Sequence, residues 1–171
     1  MVDKTMIILD RVEGGFSELP EPILGVGKQQ LLPKLTNSLK HLPFLLCGPP
    51  GCGKKSLLQI AAKDVNLKVK GVYDLGHIAG GNKVRQDDLE KVISWYRGRL
   101  QKNIMGETCL LVLYGAEHLD KEGAAYVRKY DVVLIANERT ESLKAHFGDR
   151  TLWANKLTER EMKQSLAILH P

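Results

Sequence analysis

Cysteine is scarce in this chain, which contains only Cys47, Cys52 and Cys109 in 171 residues. Their number is odd and their spacing is not that of metal ligands, so the cysteines indicate neither a metal site nor a disulfide framework. Cys47 and Cys109 lie in apolar runs, where we expect buried free thiols. Free thiols are typical of proteins in a reducing compartment.

Long hydrophobic runs are also missing. No apolar stretch approaches the roughly 20 residues that a membrane-spanning helix needs. The first residues, Met-Val-Asp-Lys-Thr, lack the basic region followed by an apolar stretch that marks a signal peptide. We therefore expect an intracellular protein without a membrane partner, in the nucleus or the cytoplasm.

Acidic residues are outnumbered by basic ones, and the net charge is +5. The excess lies in residues 54–105, which contain eleven Lys and Arg against five Asp and Glu. Such a surplus can serve a nucleotide, a nucleic acid, or solubility alone. The length and a hydrophobic content of 43% predict one domain with one core.

The most informative motif is Gly-Pro-Pro-Gly-Cys-Gly-Lys-Lys at residues 48–55. It matches the phosphate-binding pattern G-x-x-x-x-G-K-[ST] except at the last position, whose hydroxyl normally binds Mg²⁺. Lys55 occupies that position, and Ser56 comes one residue late. The sequence therefore predicts a loop that holds a polyphosphate and is poorly suited to hydrolyse one. The predicted contacts are Gly48, Pro49, Pro50, Gly51, Cys52, Gly53, Lys54, Lys55 and Ser56.

Buried strands and helices alternate after this loop, which predicts an α/β fold with an open parallel sheet and helices on both faces. A capping box of Asp87 and Glu90 is expected to begin the longest helix. The predicted helices cover residues 27–42, 54–62, 87–104, 119–129 and 158–169, and the predicted strands cover 43–47, 66–75, 110–113 and 132–136.

Residues 41–58 resemble the AAA+ ATPases and, among them, the sliding-clamp loaders of the large-subunit type. Three other segments follow in the order of that family: residues 23–27 resemble its adenine loop, residues 110–119 its second nucleotide motif, and residues 132–139 its sensor strand. The resemblance implies a RecA-like P-loop core in residues 1–156, with ATP or ADP as ligand and Asn137 as a γ-phosphate contact. Residues 157–171 would be the start of a small helical lid that is cut short.

The second nucleotide motif departs from the family where it normally ends in Asp-Glu. Tyr114 and Gly115 stand there instead, so the residues that orient Mg²⁺ and polarise the attacking water are missing. Glu117 comes three positions after Tyr114, and we interpret it as the beginning of the next helix and not as a base. The resemblance therefore implies weak Mg²⁺ binding or none, with no catalytic or metal-binding residue. The ammonium of Lys55 would replace part of the metal's charge.

Three functions stay open at this point. The prediction is a catalytically degenerate AAA+ subunit, structural or regulatory, which binds nucleotide without hydrolysis in a replication-linked assembly with other AAA+ or replication subunits. The alternatives are a slow ATPase or GTPase that uses Ser56 and Glu117 in an unusual register, and a nucleotide-free scaffold.

Basic side chains of the long helix are candidate contacts to DNA phosphates, namely Arg97, Arg99 and Lys102. A solvated helix face explains the same residues. Arg150 lies near the register of an arginine finger, although we interpret it as a surface arginine.

Overall fold

The computed structural model describes residues 26–79, 83–100 and 109–154. Within them, five parallel strands form one sheet in the order β2-β3-β4-β1-β5. The strands are β1 Phe44–Cys47, β2 Lys68–Asp74, β3 Cys109–Tyr114, β4 Val132–Ala136 and β5 Thr151–Trp153. Since β1 lies between β4 and β5, the loop that follows β1 begins between the ends of these two strands.

Side chains alternate between the two faces of the sheet because strand residues point to opposite sides in turn. Leu45 and Cys47 of β1 belong to one hydrophobic cluster, whereas Phe44 and Leu46 belong to the other. Each cluster is closed by its own helices, so the predicted α/β sheet with helices on both faces is confirmed.

Six α-helices are described. Helices α1 and α2 cover the Phe44 face, and α4, α5 and α6 cover the Leu45 face, as the members of the two clusters show. The helices are α1 Val26–Leu39, α2 Lys54–Asp64, α3 Leu75–Ala79, α4 Gln86–Leu100, α5 Lys121–Val127 and α6 Glu141–Phe147, with 3₁₀ turns at Ala116–His118 and Gly148–Arg150. None of these helices is long and apolar enough to cross a membrane.

Most element predictions hold to within a few residues, but the predicted cap of the long helix is wrong. Helix α4 begins at Gln86, so Asp87 lies inside the first turn and does not precede it. Glu90 accepts a hydrogen bond from the side-chain amide of Gln86, one turn earlier in the same helix. Helices α3 and α6 and strand β5 were not predicted, and each of them spans seven residues or fewer. Helix α6 begins with a local signal, since the Thr140 hydroxyl accepts a hydrogen bond from the Leu143 N–H.

Candidate phosphate-binding site

The loop between β1 and α2 has the backbone that its glycines predict. Gly51 and Gly53 adopt positive φ angles of 77° and 83°, which other residues adopt only with strain. Gly53 precedes the first residue of α2, and no side chain caps that helix end. The N–H groups that begin an eleven-residue helix therefore face the loop without a side-chain acceptor.

Gly48 is required for a different reason, which is close contact with another strand. A Cβ atom on Gly48 would lie 2.1 Å from the backbone oxygen of Ala154, the residue that follows β5. The Gly48 N–H donates to the carbonyl of Ala136 at the end of β4. The loop therefore begins in the narrow space between the ends of β4 and β5, the two neighbours of β1.

Lys54 is the one buried charged residue in the described part of the chain, with 3% of its surface exposed. Its Nζ donates to the Gly48 carbonyl at 2.6 Å, to the Pro49 carbonyl at 2.9 Å and to Asn137 Oδ1 at 3.0 Å. An ammonium has three N–H donors, so these bonds satisfy Lys54 within the protein. A phosphate that binds Lys54 must replace at least one of them.

Asn137 follows β4 and connects the loop to the end of β3. Its N–H donates to Glu117 Oε2 at 3.2 Å, while its side chain accepts from Lys54. The interpretation of Glu117 as the beginning of the next helix is wrong, because Glu117 lies in the 3₁₀ turn before α5 and Asp120 caps that helix. The contact between Glu117 and Asn137 joins residues that follow two different strands, so the sequence alone did not predict it. Lys54, Asn137 and Glu117 thus form one connected polar chain.

The two residues that depart from the nucleotide-binding pattern contact each other. Lys55 Nζ lies 4.2 Å from the centre of the Tyr114 ring, a cation–π distance. Lys55 stands in the first turn of α2 and is exposed, whereas Tyr114 ends β3 and is half-buried. Burial raises the pKa of the Tyr114 phenol above its ordinary value, and the nearby carboxylates of Glu117 and Asp74 raise it further. The phenol therefore stays neutral at physiological pH.

Gly115, the second departure in that motif, adopts a left-handed conformation with φ of 75°. A Cβ atom there would lie 3.0 Å from the Gly76 N and 3.1 Å from Asp74 Oδ1. A larger residue would be strained by the positive φ and crowded by these two atoms, and a carboxylate there would also lie near the Asp74 carboxylate. The left-handed backbone therefore favours the glycine that stands at this position.

The other predicted site residues lie partly in the loop, partly in α4 and partly outside the described residues. Cys52 is buried in the loop with its Sγ 3.9 Å from Lys54 Nζ, and Ser56 is half-buried in α2. Arg97 and Arg99 lie in α4, but only their backbone is described. The segment 23–25 of the adenine loop, Lys102 and the lid residues 157–171 lie outside the described residues.

Arg139 and Trp153 are two residues that were not predicted from the sequence. The Arg139 guanidinium carbon lies 5.3 Å from the centre of the Trp153 ring. Trp153 is 48% exposed, and it is the one exposed large hydrophobic residue in the described ranges. Arg139 carried a weak signal as a basic residue two positions after Asn137, whereas Trp153 ends a strand that was not predicted. Arg150, in contrast, is an exposed residue that donates to the backbone carbonyls of His41 and Pro43.

The chain is similar to large subunits of replication factor C from Methanococcus maripaludis. That of strain C6 is 31% identical over 109 residues, which cover 58% of this chain and 21% of the relative. That of strain C7 is 30% identical over 112 residues, which cover 60% of this chain and 22% of the relative. The chain spans about a fifth of the length of these relatives. No family model matches the sequence.

Among solved structures, the Walker-type ATPase Paby2304 of Pyrococcus abyssi has a similar fold. The TM-score is 0.53 at 14% sequence identity, over 82% of this chain and 57% of that chain. The resemblance to the AAA+ family is confirmed. Within that family, the sequence similarity is of the clamp-loader large-subunit type, as predicted.

Proposed function

We propose that this chain is a catalytically degenerate AAA+ subunit that binds a nucleotide through its phosphate loop and does not hydrolyse it. The proposal rests above all on one observation, the contact between Lys55 and Tyr114. In an active site of this type, the two positions hold a hydroxyl and a carboxylate that cooperate on Mg²⁺. Here an ammonium and a phenol stand in their places and contact each other.

Mg²⁺ does not fit these residues. The Lys55 ammonium repels a divalent cation, and the neutral Tyr114 phenol is a poor replacement for a carboxylate ligand. Asp74 and Glu117 are the nearby carboxylates, and one oxygen of each already accepts a backbone N–H, from Gly76 and Asn137 respectively. We therefore assign no step to a metal ion.

A polyphosphate does fit the loop. The positive φ angles of Gly51 and Gly53, the free N-terminal N–H groups of α2 and the buried Lys54 together favour an anion. Lys55 lies one residue further and adds a second positive charge in place of the metal. Metal-free ATP or ADP is the ligand that this combination favours.

Hydrolysis is expected to be negligible. Loss of metal positioning and of the catalytic carboxylate each removes preorganised charge, and one such loss typically costs about 10²–10³ in rate. Turnover of ATP or GTP with Mg²⁺ should stay below about one per minute in protein freed of contaminating ATPase. The measurement is steady-state phosphate release, and faster turnover would contradict the proposal.

The affinity for ADP is expected to depend little on Mg²⁺. Calorimetric titrations with Mg²⁺ and with EDTA should give dissociation constants that agree within about threefold. A tenfold difference between them would correspond to about 1.4 kcal/mol of binding free energy. The matched variant is Lys55→Thr with Tyr114→Asp, which restores a hydroxyl and a carboxylate and should make binding Mg²⁺-dependent. Gly115 is left unchanged because its φ angle would strain a glutamate. A tenfold loss of wild-type affinity in EDTA would mean that a metal site exists.

The alternative of a slow ATPase or GTPase is favoured by one observation, the position of Glu117. Its carboxylate reaches the Asn137 N–H and so lies beside the Lys54 contact. If turnover is found, Glu117→Gln should abolish it without weakening ADP binding. Absence of nucleotide binding with and without Mg²⁺ would instead favour the nucleotide-free scaffold.

The partners that we propose are other AAA+ or replication subunits, because the chain is similar to replication factor C large subunits. DNA is a further candidate partner through Arg97, Arg99 and Lys102. If these side chains contact phosphates, replacing them with alanine should lower the affinity for DNA and make that affinity less dependent on salt concentration. Co-purification from the native source identifies the assembly directly.

A further inference from the structure

We propose that the side chain of Asn137 competes with phosphate for Lys54 and thereby lowers the affinity of the loop for nucleotide. This role rests on the proposed nucleotide binding and adds an autoinhibitory contact to the same site. It is opposite in sign to the γ-phosphate contact that the resemblance to the AAA+ family implied for Asn137. Asn137 is thus a positioning residue, which affects the ligand through Lys54.

The competing atom is Asn137 Oδ1, one of three oxygen acceptors around Lys54 Nζ. It accepts from the ammonium at 3.0 Å, within the normal range for a hydrogen bond. An amide oxygen is neutral, so it replaces a phosphate oxygen in position but not in charge. Because only 3% of Lys54 is exposed, solvent is a poor substitute for this acceptor. A phosphate oxygen that reaches Lys54 must therefore displace an acceptor that the protein already supplies.

Of the three acceptors, Asn137 is the one that a phosphate displaces most easily. The other two are the backbone carbonyls of Gly48 and Pro49, at 2.6 Å and 2.9 Å, and they belong to the loop itself. Their release would require the loop backbone to move, whereas the Asn137 amide can rotate about its own side-chain bonds. Asn137 is half-buried, so its released oxygen can be solvated. Binding therefore exchanges the Lys54–Asn137 bond for a bond to phosphate.

The competing amide is held in place from outside the loop. Asn137 directly follows β4, whose last residue, Ala136, accepts the Gly48 N–H at 3.2 Å. The Asn137 N–H donates to Glu117 Oε2 at 3.2 Å, and the Glu117 carbonyl accepts from Lys83 Nζ at 2.8 Å. The bond to Glu117 uses the backbone of Asn137, so a substitution that removes the side chain leaves this anchor intact.

The test is calorimetric titration with ADP, ATP and pyrophosphate in EDTA. Asn137→Ala should bind all three about tenfold more tightly than the wild type, which is close to the worth of one hydrogen bond to a charged group. Pyrophosphate should show the same gain as the nucleotides because the competition concerns phosphate alone. A γ-phosphate contact predicts the opposite result, since the affinity for ATP would fall and that for ADP would not rise.

A double-mutant cycle tests whether Asn137 acts through Lys54. In a Lys54→Met background, which lacks the ammonium, Asn137→Ala should change the affinity for ADP by less than about twofold. Asn37→Ala removes the same amide from an exposed position on α1 and is the matched control, for which we expect unchanged affinity. Asn137→Val also lacks an acceptor and takes the place of the alanine variant if circular dichroism shows that the latter is unfolded.

The outcomes separate this role from the proposed function. Unchanged or weaker ADP binding in a folded Asn137→Ala variant would overturn the competition, while ADP binding by the wild type would still support the proposed function. An equal gain in the Lys54→Met background would mean that the amide hinders the ligand directly, and this also counts against the competition. Binding by Asn137→Ala alone would support the competition and contradict nucleotide binding by the wild type. Absence of binding in both proteins would overturn both ideas.

Discussion

Replacement of Gly48 by alanine is expected to destabilise the protein by about 3 kcal/mol, the upper part of the range for overpacking. The added Cβ would lie 2.1 Å from the Ala154 backbone oxygen, and backbone cannot rotate away as a side chain can. Relief requires β5 to separate from β1, with loss of the Ala154–Cys47 hydrogen bond. The measurement is the midpoint of urea unfolding.

Two other glycines provide matched controls. Gly51 has a positive φ but nothing within 4 Å of its Cβ position, so Gly51→Ala should cost only the left-handed conformation, about 1–2 kcal/mol. Gly148 has an ordinary helical φ and also nothing within 4 Å, so Gly148→Ala should be neutral or slightly stabilising. If Gly48→Ala is no more destabilising than Gly51→Ala, the strand ends are less tightly packed than the structure indicates.

Replacement of Lys54 by methionine is expected to weaken ADP binding about tenfold or more. Lys54 already makes three hydrogen bonds within the protein, so a phosphate gains only the difference between its bonds and those it replaces. The bonds that are replaced have a charged donor and a neutral acceptor, whereas a phosphate also brings the opposite charge, so we expect a gain of about 1.5 kcal/mol, the low end for a hydrogen bond to a charged group. Isothermal titration with ADP measures it.

Lys34→Met removes the same charge from an exposed position on α1 and serves as the control for net charge. It should leave the affinity for ADP unchanged. Circular dichroism must show that the Lys54 variant is folded, because the buried ammonium also holds the Gly48 and Pro49 carbonyls. Unchanged ADP affinity in a folded Lys54→Met variant would contradict a phosphate-binding role for the loop.

The sequence determined the architecture around the loop because that information is local. Positive-φ glycines, a lysine at the beginning of a helix and short apolar runs each constrain the backbone within a few residues of themselves. Strands β1 and β4 and the position of α2 followed from such signals. The two departures from the nucleotide-binding pattern, Lys55 and Tyr114, were also visible in the sequence.

Only the tertiary structure decided how the unusual residues are related. Lys55 and Tyr114 meet because β3 and the beginning of α2 lie at the same sheet edge, which depends on strand order. Glu117 reaches Asn137, and Asn137 reaches Lys54, for the same reason. These contacts join residues that are distant in the chain, and no local pattern encodes a distance across a sheet.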